Sequence, residues 1–171
     1  IPYIRIRNFQ STTAKEVRST LKKMASFHQN GLIIDLRNNP GGLLMQAVAV
    51  SEIFLPAGKL VVYTKGRVID QNRKFISKAN DGLKKFPIVI IVNAGSASAS
   101  EIVAGALQDW KRATIIGEKT FGKGSVQTVM SLLDGSGLRL TTSLYYTPKD
   151  RMIQGTGIEP DIKIVDPSKS N

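Results

Sequence analysis

Short, mostly apolar runs alternate along the chain with segments whose apolar residues recur at helical spacing. The runs at 32–36, 60–64, 87–92 and 113–116 are too short for helices, and their character is typical of strands buried on both faces. The segments 43–55 and 102–110 have helical length and spacing, and each follows a loop of small residues. Strands that alternate with helices predict an α/β fold in one domain.

The ends of the chain complete the predicted elements. Near the start, Thr13 and Glu16 have the spacing of a capping box, so we expect a helix from there to the Asn30-Gly31 turn. Later, 125–132 and 138–146 predict a β-hairpin. From Pro148 onward the pattern predicts irregular structure.

Composition restricts the classes of function. The 171 residues suffice for one sizeable core but not for two typical domains, and no apolar run approaches the ~20 residues that span a bilayer. The chain has no cysteine, which excludes disulfides, thiolate zinc sites and a cysteine nucleophile. The one histidine, His28, excludes a multi-histidine metal site, and its place at a frayed helix end makes it a poor base for a Ser-His-Asp triad.

The chain is strongly basic. It has 24 Lys and Arg against 13 Asp and Glu, a net charge of +11, which favours encounters with acidic partners. Much of this excess lies at Lys65, Arg67, Arg73, Lys74, Lys78, Lys84 and Lys85. Because no aromatic residues interleave this run well enough to stack bases, it predicts a solvated face and no nucleic-acid partner.

Two strand-to-helix loops, at 39–42 and 93–101, are the candidates for chemistry. A helix N-terminus offers unpaired N–H groups and a positive dipole end, which can hold a developing oxyanion. Glycine at 41 and 42 lets backbone amides approach a substrate closely. Ser98 and Glu101 also have capping-box spacing, so Ser98 by itself is well explained as a helix cap.

A third feature is Lys123, which lies between two glycines at the start of a β segment. By itself it is explained as a turn lysine that points at water. Together, the three segments Asp35-Leu36-Arg37-Asn38-Asn39-Pro40-Gly41-Gly42, Asn93–Asp109 and Phe121-Gly122-Lys123-Gly124 resemble motifs of the carboxy-terminal processing (tail-specific) proteases. The resemblance runs from about Tyr3 to Asp161, and three spaced motifs are more specific than any one.

This family consists of serine endopeptidases with a Ser-Lys dyad on an α/β fold of the crotonase/Clp-protease type. The resemblance implies that Ser98 is the nucleophile and Lys123 the general base. It also implies that Gln127 holds the lysine and that the Gly42 and Ala99 amides form the oxyanion hole. Glu101 matches a nearby acidic position with a supporting role, and no metal or organic cofactor is needed.

The resemblance also implies partners and a location. We expect protein substrates with accessible C-terminal tails, a PDZ domain in the full-length chain, and export to a periplasm, cell surface or lumen; a homo-oligomer stays open. The chain looks like the isolated catalytic core over 1–165 with a frayed tail over 166–171. Whether such a core is active or latent without its PDZ domain and flanking helical segments stays open at this stage.

The dyad imposes physical conditions. A lysine accepts a proton only as a neutral amine, and burial favours that form, so the mechanism predicts a desolvated amine at Lys123. Gln127 lies ~13 Å from Lys123 along an ideal strand, and contact therefore requires either a bend near 124–125 or a long inward reach of the side chain. Glu101 could pair with the lysine ammonium or complete the helix cap, and we favour the cap.

Three other functions remain open at this stage. A catalytically silent binding module would use Ser98 only as a cap. An acyl-thioester enzyme of crotonase type would need a nucleotide-binding surface and usually an acidic base, which the sequence does not reveal. Nucleic-acid binding through the basic run would show a steep salt dependence.

Overall fold

The computed structural model describes residues 1–24, 30–78 and 86–164 of the chain. The elements in chain order are β1 (Tyr3–Arg5), α1 (Thr13–Met24), β2 (Leu32–Asp35), α2 (Leu44–Phe54), β3 (Leu60–Gly66), β4 (Lys74–Ile76), β5 (Ile88–Val92), α3 (Ala99–Asp109), β6 (Thr114–Gly117), β7 (Ser125–Ser131), β8 (Gly137–Tyr146) and β9 (Ile162–Lys163). A 3₁₀ turn at Ile69–Gln71 lies between β3 and β4. The predictions for His28, Lys84, Lys85 and the tail at 166–171 fall outside the described residues.

A parallel sheet forms the centre of the fold. Its strand order is β1-β2-β5-β6-β9, and all neighbouring pairs are parallel. Ile34 and Ile90, which are paired across β2 and β5, are buried in the core, whereas Val89 and Ile91 on the other face of β5 are only partly buried. The α/β prediction is confirmed. Because β2 and β5 are neighbours, the loops that follow them leave the same edge of the sheet.

Helix α3 is the most buried helix of the described part. Ten of its eleven residues are buried, which is typical of a helix inside a core. A Cβ at Gly105 would lie 2.9 Å from Thr147 Cγ2 and 3.0 Å from Ile158 Cδ1, so the segment after β8 packs directly on this helix. The first turn of α3 is therefore held firmly against the rest of the fold.

A second, antiparallel sheet has the order β4-β3-β8-β7. β7 and β8 form the predicted hairpin, and their register shifts between Val126 and Gln127. Every residue from Gln127 to Thr141 is exposed. Most of this hairpin thus forms an arm that projects away from the core.

The structure differs from the sequence prediction at the edges. β1, β4 and β9 were not predicted because strands of two or three residues at sheet edges show no periodicity. At α1, the hydroxyl of Thr12 and not that of Thr13 donates to Glu16, at 2.6 Å. The Thr13 hydroxyl instead accepts the amide of Gln10, at 3.0 Å, so it fixes the loop before the helix.

The surface agrees with the predicted solvated face where it is described. Lys65, Arg67, Arg73, Lys74 and Lys78 are all exposed. None of the helices within the described ranges is long and apolar enough to span a membrane.

Candidate functional site

The two candidate loops meet because their strands are adjacent. Asp35 at the end of β2 lies opposite Ile91 of β5, and the next residues continue the contact. The Asn38 amide donates to the side-chain oxygen of Asn93, and the Asn93 side-chain amide donates to that of Asn38, both at 2.9 Å. These reciprocal bonds fix the relative positions of the 39–42 loop and the turn before α3.

Asn39 ties the first loop to the turn before α3. Its side chain is fully buried, donates to the carbonyl of Ile6 at 2.8 Å and accepts the amide of Gly41 at 2.9 Å. Its backbone carbonyl accepts the amide of Ala97 at 2.9 Å and the hydroxyl of Ser100 at 3.0 Å. One asparagine therefore links three segments of the chain.

Both glycines of the first loop are required by geometry. Gly41 has φ 103°, and a Cβ there would lie 2.7 Å from Ser98 Cβ and 2.9 Å from the Ala99 nitrogen. Gly42 has φ 141°, and a Cβ there would lie 2.2 Å from the carbonyl oxygen of Phe9. Only glycine fits either position. The backbone of the first loop therefore lies against Ser98.

Ser98 has an unusual backbone. Its φ of 55° and ψ of −112° place it outside the regions that non-glycine residues ordinarily adopt, and such strain persists only where the surroundings impose it. The neighbouring serines are different: Ser96 and Ser100 are fully buried, with hydroxyls bonded to the carbonyls of Leu36 and Asn39. Ser98 alone of the three is partly exposed.

Two backbone amides beside Ser98 are unpaired. Within the described residues, neither the Gly42 amide nor the Ala99 amide donates a hydrogen bond to another protein group. The Ala99 amide belongs to the first residue of α3, at the positive end of the helix dipole. The arrangement can therefore bind a negatively charged oxygen next to Ser98.

Glu101 is a fully buried carboxylate that contacts both loops flanking the site. Its Oε2 accepts the amide of Ser98 at 2.7 Å and that of Lys123 at 2.9 Å. Its Oε1 accepts the hydroxyl of Thr120 at 2.6 Å and the amide of Gly122 at 2.7 Å. The favoured cap on α3 is present, and three further bonds accompany it.

Lys123 lies beside Ser98 in the fold but is exposed. Across the described ranges, its amine forms no hydrogen bond with Ser98 and no ion pair with Glu101. The flanking glycines are explained by close backbone contact: a Cβ at Gly124 would lie 2.3 Å from the Gln154 nitrogen, and Gly122 has φ 90°. The residues that the structure describes therefore do not shield this amine from water, although the mechanism predicts a desolvated amine.

Gln127 is exposed on β7, beyond the register shift that begins after Val126. Among the bonds of the described residues, none joins its side chain to Lys123. At this shift Val126 pairs with Ser143 and Gln127 with Thr141, so the extra residue lies on β8 and not on β7. The structure therefore brings Ser98, Glu101, Gly42 and Ala99 together with the backbone of Lys123 but leaves Gln127 apart.

Asp35 and Arg37 form an ion pair at the base of the first loop. The guanidinium Nε and Nη2 donate to the buried carboxylate at 3.0 and 2.8 Å, and the Tyr3 hydroxyl donates at 2.5 Å. Burial would raise the pKa of Asp35, but the bonds from Arg37 and Tyr3 outweigh it and lower that pKa to about 2. The bond to Asp35 also raises the pKa of Tyr3.

Sequence reasoning missed Asn39 and Thr120 as parts of the site. Asn39 precedes a Pro-Gly-Gly turn and could have been noted as a turn-stabilising residue. Thr120 gives no signal in the sequence, because its role depends on contacts with Glu101 and with the amide of Ile158 at 2.7 Å.

In the parts of the chain that the structure describes, no group of three or more His, Cys, Asp or Glu side chains could hold a metal ion.

The sequence matches the family model described as peptidase family S41 over residues 1–164. It is 48% identical over 171 residues to a carboxy-terminal-processing protease of Bartonella bacilliformis, covering 98% of this chain and 39% of that protein. It is also 41% identical over 167 residues to a carboxyl-terminal-processing protease of Synechocystis sp. The match covers 98% of this chain and 38% of that protein. The chain thus spans about two fifths of the length of these relatives.

A solved structure of similar fold is the photosystem II D1 C-terminal processing protease. It superposes with a TM-score of 0.87 at 37% sequence identity, covering 95% of this chain and 42% of that one. The similarity in fold therefore extends over nearly all of the chain.

Proposed function

Because this chain belongs to peptidase family S41, we propose that it hydrolyses peptide bonds with Ser98 as the nucleophile and Lys123 as the general base. One observation carries this proposal. The Gly42 and Ala99 amides have no hydrogen-bond partner among the described residues, and they lie beside a serine whose backbone is strained. Any helix leaves its first amides without intrahelical partners, but a helix cap does not need a glycine loop packed against the serine.

In the proposed reaction, Ser98 Oγ attacks the peptide carbonyl carbon while Lys123 Nζ takes the hydroxyl proton. The Gly42 and Ala99 amides stabilise the oxyanion of the tetrahedral intermediate. Lys123 then gives its proton to the leaving amine as the peptide bond breaks. Water then attacks the carbonyl carbon of the acyl-enzyme and passes one proton to Lys123. Lys123 returns that proton to Ser98 Oγ as the ester bond breaks, and the acid product ionises to a carboxylate in solvent.

Lys123 needs a drier environment for this role than the described residues provide, since its side chain is exposed. We propose that bound substrate, together with the rest of the full-length protein, covers the amine and favours its neutral form. In this arrangement Gln127 orients the amine. The core as it stands is then a latent arrangement of the site.

The substrates proposed are proteins cut near accessible C-terminal tails. The support is the carboxy-terminal-processing activity named in the relatives. A PDZ domain in the full-length chain and export from the cytoplasm are proposed from the family resemblance, which also leaves a homo-oligomer open. No nucleic-acid partner is proposed, because the basic run has the character of a solvated face.

The proposal is tested with a fluorophosphonate probe on the full-length protein. The probe should label wild type, and Ser98→Ala should abolish labelling and cleavage of a peptide substrate. Ser131→Ala, at an exposed serine on β7, is the matched control and should react like wild type. Absence of labelling in folded wild type would favour the catalytically silent binding module instead.

A further inference from the structure

One oxygen atom of Glu101 contacts the backbones of both proposed catalytic residues. Oε2 accepts the Ser98 amide at 2.7 Å and the Lys123 amide at 2.9 Å. The two amide nitrogens therefore lie at most about 5.6 Å apart, which is the sum of these two distances. Ser98 and Lys123 are 25 positions apart in the sequence, so this atom fixes a long-range distance.

We propose that Glu101 is a positioning residue that sets the distance and orientation between the nucleophile and the general base. This inference rests on the proposed function, since it assigns Glu101 to the reaction of Ser98 and Lys123. It differs from a cap, which would explain only the bond to Ser98 at the start of α3. The donors at Thr120, Gly122 and Lys123 lie 19 to 22 residues away and have no part in capping.

The chemistry of the four partners selects a carboxylate. All four donate to it, and a carboxylate only accepts, so its two oxygens satisfy every partner. A buried carboxylate is costly unless it is bonded in this way. Within the described residues Glu101 has no lysine or arginine ion-pair partner, so the surrounding donors alone compensate for its burial.

The Lys123 backbone is held from both sides of the residue. Glu101 bonds the Gly122 and Lys123 amides, and the Gln154 side chain accepts the Gly124 amide at 2.9 Å. The lysine side chain meanwhile is exposed. A fixed backbone with an exposed side chain lets the amine turn toward Ser98 when substrate covers it, without a rearrangement of the loop.

Glutamine at 101 would retain one acceptor oxygen and replace the other with an NH₂ donor. That NH₂ group is best tolerated beside Thr120, whose hydroxyl can also accept, and there it opposes only the Gly122 amide. The bridge between Ser98 and Lys123 is then kept in weakened form. Alanine at 101 removes the bridge entirely.

The test compares kcat and KM for Glu101→Gln, Glu101→Ala and Thr64→Val in the full-length protein. We expect kcat to fall by about 10-fold for glutamine and about 100-fold or more for alanine, since small misplacements of reacting groups cost rates of this order. KM should change little, because Glu101 is buried. Thr64→Val is the matched control: it removes the two hydrogen bonds of a buried hydroxyl in β3, outside the site, so it should lower the unfolding temperature while kcat stays within about 3-fold.

If Glu101→Ala does not fold, the isosteric variant Glu101→Gln tests the positioning role by itself. A kcat near wild type for Glu101→Gln, or equal losses of kcat for Glu101→Gln and Thr64→Val, would overturn the positioning role. Failure of the proposed function would look different, because wild type itself would then neither react with fluorophosphonate at Ser98 nor cleave peptide.

Discussion

Ser98 and Gly41 define the site at the scale of single residues. The serine holds a strained backbone at φ 55°, and the glycine backbone packs against it with no room for a side chain. The strain is maintained by neighbours that fix the turn on both sides, namely Asn39 through Ala97 and Glu101 through the Ser98 amide. The backbone geometry of Ser98, the proposed nucleophile, is thus imposed by its contacts, since serine does not favour it.

Gly41→Ala should disrupt this arrangement. Its Cβ would lie 2.7 Å from Ser98 Cβ, so the two loops must separate. We expect kcat/KM to fall by about 100-fold or more and the free energy of unfolding by about 1–3 kcal/mol.

Gly58→Ala is the control, because Gly58 also has a positive φ, 82°, but a Cβ there meets nothing within 4 Å. It should lower stability through backbone strain and leave kcat/KM unchanged. Equal losses of activity in both glycine variants would contradict the role of close packing at Gly41.

Asp35 predicts a pH dependence of stability. Its pKa of about 2 in the folded state lies below its ordinary value of 3.8. Its contribution, about 2 kcal/mol by linkage, is therefore present above pH 3.8 and is lost as the pH falls through the interval down to about 2. Urea unfolding of wild type and Asp35→Asn should differ clearly at pH 7 and much less at pH 2.5. A difference of the same size at both pH values would show that the charge of Asp35 is not responsible.

Helix α3 and the β7–β8 arm differ sharply at the scale of elements. Leu107 in α3 is fully buried, whereas Leu140 in β8 is 49% exposed. Leu107→Ala should lower the free energy of unfolding by about 2–5 kcal/mol. Leu140→Ala should lower it by about 0.5 kcal/mol or less. Chemical denaturation of the two variants measures both values, and a large loss from Leu140→Ala would mean that the arm packs on the core in solution.

The elements were predicted from sequence where burial imposes a pattern. The strands at β2, β5 and β6, the helices α2 and α3 and the β7–β8 hairpin are confirmed, because each is long or apolar enough to show its period. The edge strands β1, β4 and β9 depend on a neighbouring strand for their hydrogen bonds, and their few residues contain no such signal. The bond from the Thr12 hydroxyl to the Glu16 side chain was missed because two adjacent threonines offer the same chemistry one residue apart.

At the scale of the whole molecule, the site is assembled from distant segments. The loop at 39–42, the turn at 93–101 and the loop at 120–124 meet because β2 and β5 are parallel neighbours and Glu101 joins the last two. The net charge of +11 lies largely on solvated surface and does not build the site. What the fold supplies to the site is therefore the relative placement of the loops.

The sequence by itself determined the α/β class, the two loops that could carry chemistry and, through three motifs, the family and its candidate residues. Local pattern suffices for these, since burial periodicity and glycine-rich turns are properties of neighbouring residues. Only the tertiary structure decided that Glu101 contacts both Ser98 and Lys123, that Asn39 joins three segments, and that Lys123 is exposed. These facts depend on atoms that are far apart in the sequence and close together in the fold. A local sequence pattern does not predict which hydrogen-bond donors a buried oxygen contacts.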